Sequence, residues 1–235
     1  MLTRLADALR GATERLALPQ RCLFCAAPRP REGICDECRE HLPGRGASRC
    51  PVCANLSAAR EVCGECLAQP PRFARVRAAV SYRFPVDGAI QRLKYGAHLA
   101  AVRPLGSLLA EHLEEQGAPD LVIAMPMAAQ RLRERGFNHA HELALAVSTR
   151  LRLTLASQLC RRVRHAAPQA ALPWKERRRN IRGAFACDAD LSGARVAIVD
   201  DVVTTGATLN ELASVLVERG AALVEGWVVA RTEKP

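Results

Sequence analysis

The stretch VAIVDDVVTTGATL, Val196 to Leu209, decides the fold class. Val196 to Val199 are apolar and read as a buried strand, which ends on two adjacent carboxylates, Asp200 and Asp201. A loop of small residues follows, Thr204, Thr205, Gly206, Ala207 and Thr208, and it opens an amphipathic helix from about Leu209 to Arg219. A strand entering a hydroxyl- and glycine-rich turn at a helix N-terminus suits a phosphate. Unpaired backbone N–H groups and the positive end of the helix dipole both converge on such a turn. Gly206 lets the backbone approach closely, and the threonine hydroxyls add donors. The plainer alternative is an ordinary strand–turn–helix unit with surface acids.

The paired acids need a user, because carboxylates beside a phosphate site repel its ligand. A vicinal diol is one user, since each carboxylate accepts a hydroxyl proton, and Mg²⁺ is another. Phosphate plus diol points to a ribose 5-phosphate. The segment resembles the binding signature of type I phosphoribosyltransferases for phosphoribosyl pyrophosphate (PRPP): hydrophobic strand, two acids, Thr/Gly loop. The resemblance implies that Asp200 and Asp201 hold the ribose hydroxyls and that Thr204 to Thr208 wrap the 5′-phosphate.

Outward from this stretch the pattern is α/β. VRAAVSYRF, LVIAM (Leu121 to Met125), LASQLCRRV and ALVEGWVVAR read as further strands, with helical stretches from the first of these to about Gln116 and a helix at HAHELALAVSTRL. Strands alternating with helices predict a mostly parallel sheet flanked by helices on both faces, with ligands at the carboxyl ends of the strands. A loop from Met125 to Asn138 lies at such an end and carries Arg131, Arg133 and Arg135 at alternating positions. It is either a solvated basic loop or a supplier of cations for a pyrophosphate. Arg161 to Arg182 holds eight Lys/Arg against one acid, Glu176, with Pro168 and Pro173 and no apolar periodicity. That composition predicts a mobile loop that folds over a polyphosphate or contacts nucleic acid. Trp174, just before its charged run, is either a base-stacking residue or a buried anchor.

The N-terminal third is different. Eight of the ten cysteines form four CxxC pairs, Cys22/Cys25, Cys35/Cys38, Cys50/Cys53 and Cys63/Cys66. The two halves repeat with an offset of 28 residues, each reading C-x2-C-x9-C-x2-C. Each half supplies four thiolates, a tetrahedral set for one structural Zn²⁺, in a segment too poor in apolar residues to fold without metal. Two Zn²⁺ in a double zinc ribbon is the reading adopted. Disulfides and a redox CxxC are the alternatives, and the spacing leaves open whether ligands pair within or between halves. Cys160 and Cys187 sit in apolar contexts and read as core residues.

The 235 residues accommodate an amphipathic N-terminal helix (1–18), the ribbon module (19–70) and one α/β domain (71–235). Hydrophobic content of 49% fits a packed core rather than disorder. The net charge of +10 comes almost wholly from arginine, since Lys94, Lys175 and Lys234 are the lysines. Its sign fits polyanionic partners, and it fits equally a biased genome that enriches Arg and Ala. No stretch approaches the ~20 apolar residues of a membrane span. The first helix carries too many charges for a secretion signal, so the expected compartment is a reducing cytoplasm.

Cysteine knuckles, then YRFPVDGAIQRLKYG, MPMAAQRLRERGFNHAHELA, PQAALPWKERRRNIRGAF and VAIVDDVVTTGATL, together resemble the ComF family, in order and over nearly the whole chain. His139 after RGFN departs from the glutamine common there, and Met125 and Met127 replace common Val and Leu. The resemblance implies a zinc module joined to a type I phosphoribosyltransferase-like domain and an association with DNA uptake and natural transformation. PRPP with Mg²⁺, single-stranded DNA and DNA-uptake proteins are the implied partners. In an active domain an acceptor displaces pyrophosphate from C1 of PRPP, with Asp200 and Asp201 orienting the ribose. Arg133, Arg135, Lys175, Arg177, Arg179 and Lys94 are candidates to hold the pyrophosphate, and the sequence shows neither a general base nor an acceptor pocket. A PRPP-sensing adaptor and a single-stranded DNA-binding protein are the rival readings.

Overall fold

The computed structural model describes residues 21–28, 30–96, 98–114, 117–163 and 181–233. The expected helix over 1–18, Trp174 and the candidate residues Lys175, Arg177 and Arg179 lie outside them.

The cysteine-rich segment holds two short helices, α1 (Asp36–Glu40) and α2 (Gly64–Ala68). The remainder alternates as expected: β1 (Arg75–Ser81), α3 (Val86–Tyr95), α4 (Val102–Leu113), β2 (Leu121–Ala124), α5 (Ala129–Arg135), α6 (His139–Leu151), β3 (Cys160–Arg162), β4 (Phe185–Cys187), β5 (Arg195–Val203), α7 (Ala207–Glu218) and β6 (Leu223–Arg231). The main sheet has the order β1-β6-β5-β2, and every neighbouring pair is parallel. Its strands are apolar on both faces, as a parallel sheet between helix layers requires. β3 and β4 form a separate antiparallel pair.

Two buried clusters lie on opposite faces of the sheet. Val196 and Ile198 of β5 pack with Leu209, Leu212 and Leu216 of α7 on one face. Ala197 and Val199 face Ile90 of α3, Leu105 and Leu109 of α4, and Leu143 and Val147 of α6 on the other. The cysteine halves divide between these faces. Ile34 and Leu42 of the first join the three-helix side, whereas Ala54 of the second joins the α7 side.

Both sheet edges are covered. On β1, the Val76 N–H donates to Val52 O at 2.7 Å and the Ser81 N–H to Pro43 O at 2.7 Å, both acceptors lying in the cysteine-rich segment. On β2, Val122 exchanges 2.8 Å hydrogen bonds with Thr154 and Ala156.

Three boundaries differ from expectation. β5 does not end on the acids. It runs through Asp200 and Asp201 to Val203, because the β-branched Val202 and Val203 continue the pairing with Ala230 and Arg231 of β6. The arginine loop contains a helix, α5, built from good helix formers and ended by Gly136 at φ 80, a left-handed cap glycine adopts without strain. The strand read over LASQLCRRV shrinks to Cys160–Arg162.

Candidate functional site

The carboxyl ends of β2 and β5 open on a polar cleft of about 320 Å³ that also receives α3, α5 and the start of α6. The chain reaches it in three passes. Leaving β2, Asn138 caps α6 by accepting from the Ala140 N–H at 3.1 Å and donates its amide to Met125 O at 3.1 Å, which pins α6 to the strand end. Leaving α3, Lys94 and Tyr95 reach over the cleft. Leaving β5, Asp200, Asp201 and the Thr204–Thr208 loop form its floor and far wall.

Asp201 is 2% exposed and forms the centre of a charge cluster. Lys94 Nζ lies 2.9 Å from Asp201 Oδ2, an ion pair at the bottom of the cleft. His139 Nε2 stands 3.4 Å from the same oxygen. An Arg135 guanidinium nitrogen is 3.3 Å from His139 Nδ1. Because guanidinium only donates, Nδ1 is the acceptor, and the network assigns the ring proton to Nε2, facing Asp201. Arg135 also stacks 4.9 Å from the centre of the Tyr95 ring.

Ionisation follows this geometry. Burial outweighs the pull of Asp201 on His139 and, with the charges of Lys94, Arg135 and Arg131, brings its imidazole down to about 4, so it is neutral at pH 7. Burial and the neighbouring Asp201 charge push Asp200 up to about 7 against the pull of Lys94. Burial disfavours the Lys94 ammonium too, but Asp201 and Asp200 outweigh it and hold this group above its ordinary value. Asp200 therefore exchanges a proton near neutrality, while Lys94 stays charged.

The Thr204–Thr208 loop sits at the head of α7. Gly206 caps α7 at φ 76, and Thr205 Oγ1 accepts from the Ala207 N–H at 3.2 Å. Asn210 donates the first intrahelical bond to Gly206 O, so the Thr208 and Leu209 N–H groups have no partner in the helix. Thr204 to Thr208, with Asp200, surround a hollow of about 50 Å³.

Of the residues singled out in the sequence, Asp200, Asp201, Thr204, Thr208, Lys94 and Arg135 line the cleft, and Thr205, Gly206 and Ala207 line the adjoining hollow. Arg133 does not line it. Alternating residues point apart on a helix, so α5 turns Arg131 and Arg135, four apart, to the cleft and leaves Arg133 exposed elsewhere. Sequence reasoning missed His139 as a cleft residue, and it held Arg162 only as part of the basic stretch Arg161 to Arg182, with no role of its own. His139 had one signal, its place where the resembling family has glutamine.

The two cysteine halves each close on themselves. Cys22, Cys25, Cys35 and Cys38 bring their sulfurs within 4.8 Å of one another, and so do Cys50, Cys53, Cys63 and Cys66. Cys25–Cys35 and Cys53–Cys63 sulfurs are both 3.6 Å apart, close to the ~3.8 Å edge of a tetrahedron with 2.3 Å Zn–S bonds. Burial opposes ionisation of Cys22, yet N–H groups of Cys25, Cys35 and Phe24 bring its thiol down to about 6. Those of Cys53, Cys63 and Val52 bring Cys50 down to about 7. Equivalent donors recur in both halves: the Cys35 N–H points to Cys22 Sγ and the Cys63 N–H to Cys50 Sγ. Such closed four-thiol sets fit structural zinc, and pairing is within each half.

The double zinc ribbon domain family matches residues 14–67. The chain is 33% identical over 226 residues to the DNA utilization protein YhgH of Salmonella typhimurium, an alignment covering 92% of this chain and 99% of that one. It is 30% identical over 223 residues to Competence protein F of Haemophilus influenzae, covering 90% and 96%. Among solved structures, a purine phosphoribosyltransferase from Pyrococcus horikoshii aligns with 55% of this chain and 72% of that chain at 23% identity and a TM-score of 0.35. Likeness to these two relatives over almost their full length, with the cysteine repeat inside the ribbon match, shows that the chain belongs to the ComF family.

Proposed function

We propose that the cleft binds PRPP with Mg²⁺ and that the protein acts in DNA uptake and utilisation, with phosphoribosyl transfer to an acceptor as its chemistry. The observation that carries this reading is the meeting of three groups in one cleft: the acid pair, the Thr/Gly loop at the head of α7, and the cations of α3 and α5. Unpartnered N–H groups and threonine hydroxyls suit the 5′-phosphate. Asp200, facing the cleft, suits the ribose hydroxyls, while Asp201 is held by Lys94 and sets the position of that ammonium. Arg131, Arg135 and Lys94 supply charge to the pyrophosphate as it departs from C1. The acid pair also brings carboxylate oxygens together within 4.8 Å, with Asp200 facing the cleft, and these fit Mg²⁺, which would neutralise the same growing charge. The DNA role rests on the names of the relatives, and a cytoplasmic location is proposed with it. Among the described residues no helix is long and apolar enough to cross a membrane.

A thermal melt tests the binding half. PRPP with Mg²⁺ at a hundred times its Kd stabilises the native state by about 2.7 kcal/mol, a rise of about 5 °C or more for a chain of this size. The Asp200→Asn, Asp201→Asn double variant should lose that rise, and an unchanged melting temperature at millimolar PRPP overturns the reading. Pyrophosphate release across a panel of nucleobase, amine and nucleotide acceptors then separates an enzyme from a PRPP sensor.

A further inference from the structure

Arg231, at the end of β6, is 2% exposed, and among the described residues no carboxylate meets it. Backbone carbonyls accept from its Nε and from one terminal nitrogen instead. Nε donates to Cys53 O at 2.9 Å, and one terminal nitrogen donates to Val203 O and Thr232 O at 3.0 Å and to Thr204 O. A buried charge is costly unless such acceptors are held in place. Here one acceptor is the carbonyl of a second-cluster cysteine, and two belong to the residues that lead into the phosphate loop.

Two further contacts join the same parts. Phe73, 5% exposed and just after the second ribbon, places its ring 3.7 Å from where a Cβ on Gly206 would stand. The adjacent Arg72 N–H donates to Asn210 Oδ1 in the first turns of α7 at 2.6 Å. The first cluster has no such tie among the described residues. Its half rests on the opposite layer, where Arg39 pairs with Glu111 of α4 at 2.5 Å, Glu32 pairs with Arg150 of α6, and Gly33 packs on Pro104.

We propose that the second four-cysteine cluster is a working part of the phosphate loop, with Arg231 as the positioning residue between them. Zinc at Cys50, Cys53, Cys63 and Cys66 and an anion in the loop then strengthen each other's binding, and the first cluster is indifferent to the ligand. Linkage makes the effect reciprocal, with couplings of this kind about 5- to 150-fold. The ligand half of the proposal rests on the PRPP reading of the site.

The experiment uses the full zinc-loaded chain and two readouts. In hydrogen exchange, Arg231→Met should speed exchange of the Ala207 and Asn210 amides about tenfold while two zinc ions per chain remain. Cys66→Ser should do the same and Cys38→Ser should not; Arg231→Lys, which keeps one charged donor, should fall between wild type and Arg231→Met. In chelator challenge, PRPP with Mg²⁺ should slow release of one zinc equivalent about fivefold or more. That protection should persist in Cys38→Ser and vanish in Cys66→Ser and Arg231→Met. Equal loop exchange in the Cys38→Ser, Cys66→Ser and Arg231→Met chains overturns the coupling, and so does PRPP that raises the melting temperature yet protects neither zinc. PRPP that leaves the melting temperature unmoved overturns the site reading instead, and the exchange arm still decides the coupling.

Discussion

Replacing Lys94 by methionine isolates the centre of the cleft. The change removes the ammonium 2.9 Å from Asp201 Oδ2 and leaves a carboxylate whose side chain is 3% exposed facing a neutral imidazole. Breaking a buried pair from one side costs about 3–5 kcal/mol, and the Lys94 side chain, 23% exposed, places this case near 3 kcal/mol. With about 2–4 °C per kcal/mol for a chain of this length, the melting temperature should drop by about 6–12 °C. The loss should depend on pH. The folded-state pKa of Lys94 is raised, so its contribution is complete below the unfolded value of 10.5 and fades only above it. Without Lys94 the acid pair can be relieved only by a proton, and Asp200, near 7 in the intact cluster, rises further once the pull of Lys94 is gone. The deficit is therefore larger at pH 8.5 than at pH 5.5. Melts of zinc-loaded Lys94→Met, Asp201→Asn and the double variant at both pH values measure it, and the double variant should recover about 2 kcal/mol of the summed losses. A drop below 2 °C at pH 8.5 on these ~2–4 °C per kcal/mol terms, or additive losses, would refute the reasoning.

Four other variants test the site from different sides. His139, lowered to about 4 in the fold, contributes stability above its unfolded pKa of 6.5 that is lost as pH falls. Asp200, raised to about 7, contributes stability at low pH that is lost as pH rises from 3.8. Between pH 4 and 6.5 these slopes oppose, each at most about 1.4 kcal/mol per pH unit, so His139→Gln should lose stability with rising pH and Asp200→Asn should gain it, whereas parallel melting profiles would contradict the assignment. Arg131→Gln should weaken PRPP binding in a calorimetric titration by about tenfold and Arg133→Gln by less than about twofold. Equal losses would mean that α5 does not select its cleft-facing arginines.

Local patterns carried most of the fold. The period-3.6 pattern of HAHELALAVSTRL gave the helix His139–Leu151 to the residue, and ALVEGWVVAR gave β6 within one or two residues. The cysteine spacing gave two four-sulfur clusters because a CxxC knuckle is a local geometry. What escaped was long-range or a matter of phase. Lys94 and Asp201 are 107 positions apart and nothing in either segment announces their pairing. Arg231 reads as the ordinary polar end of a strand until the second ribbon folds over it. Arg131, Arg133 and Arg135 look equivalent as a loop, and only the helical turn of α5 sorts them. Asp200 and Asp201 read as the end of the strand, yet the strand runs on through them to Val203 and gives each a different environment.

The covering of β1 has a consequence for the metal-free protein. Sheet edges with free N–H and C=O groups are templates for pairing with another chain, and soluble proteins block them. Here one edge is blocked by carbonyls of Val52 and Pro43, both in the segment that the cysteine clusters hold in shape. Stripping zinc therefore does more than unfold a small appendage. It uncovers a seven-residue strand, RVRAAVS, whose outward groups lose their acceptors. On this geometry the ribbon doubles as a guard against self-association, and chelation of zinc should make the chain aggregate, an outcome that light scattering before and after chelation checks.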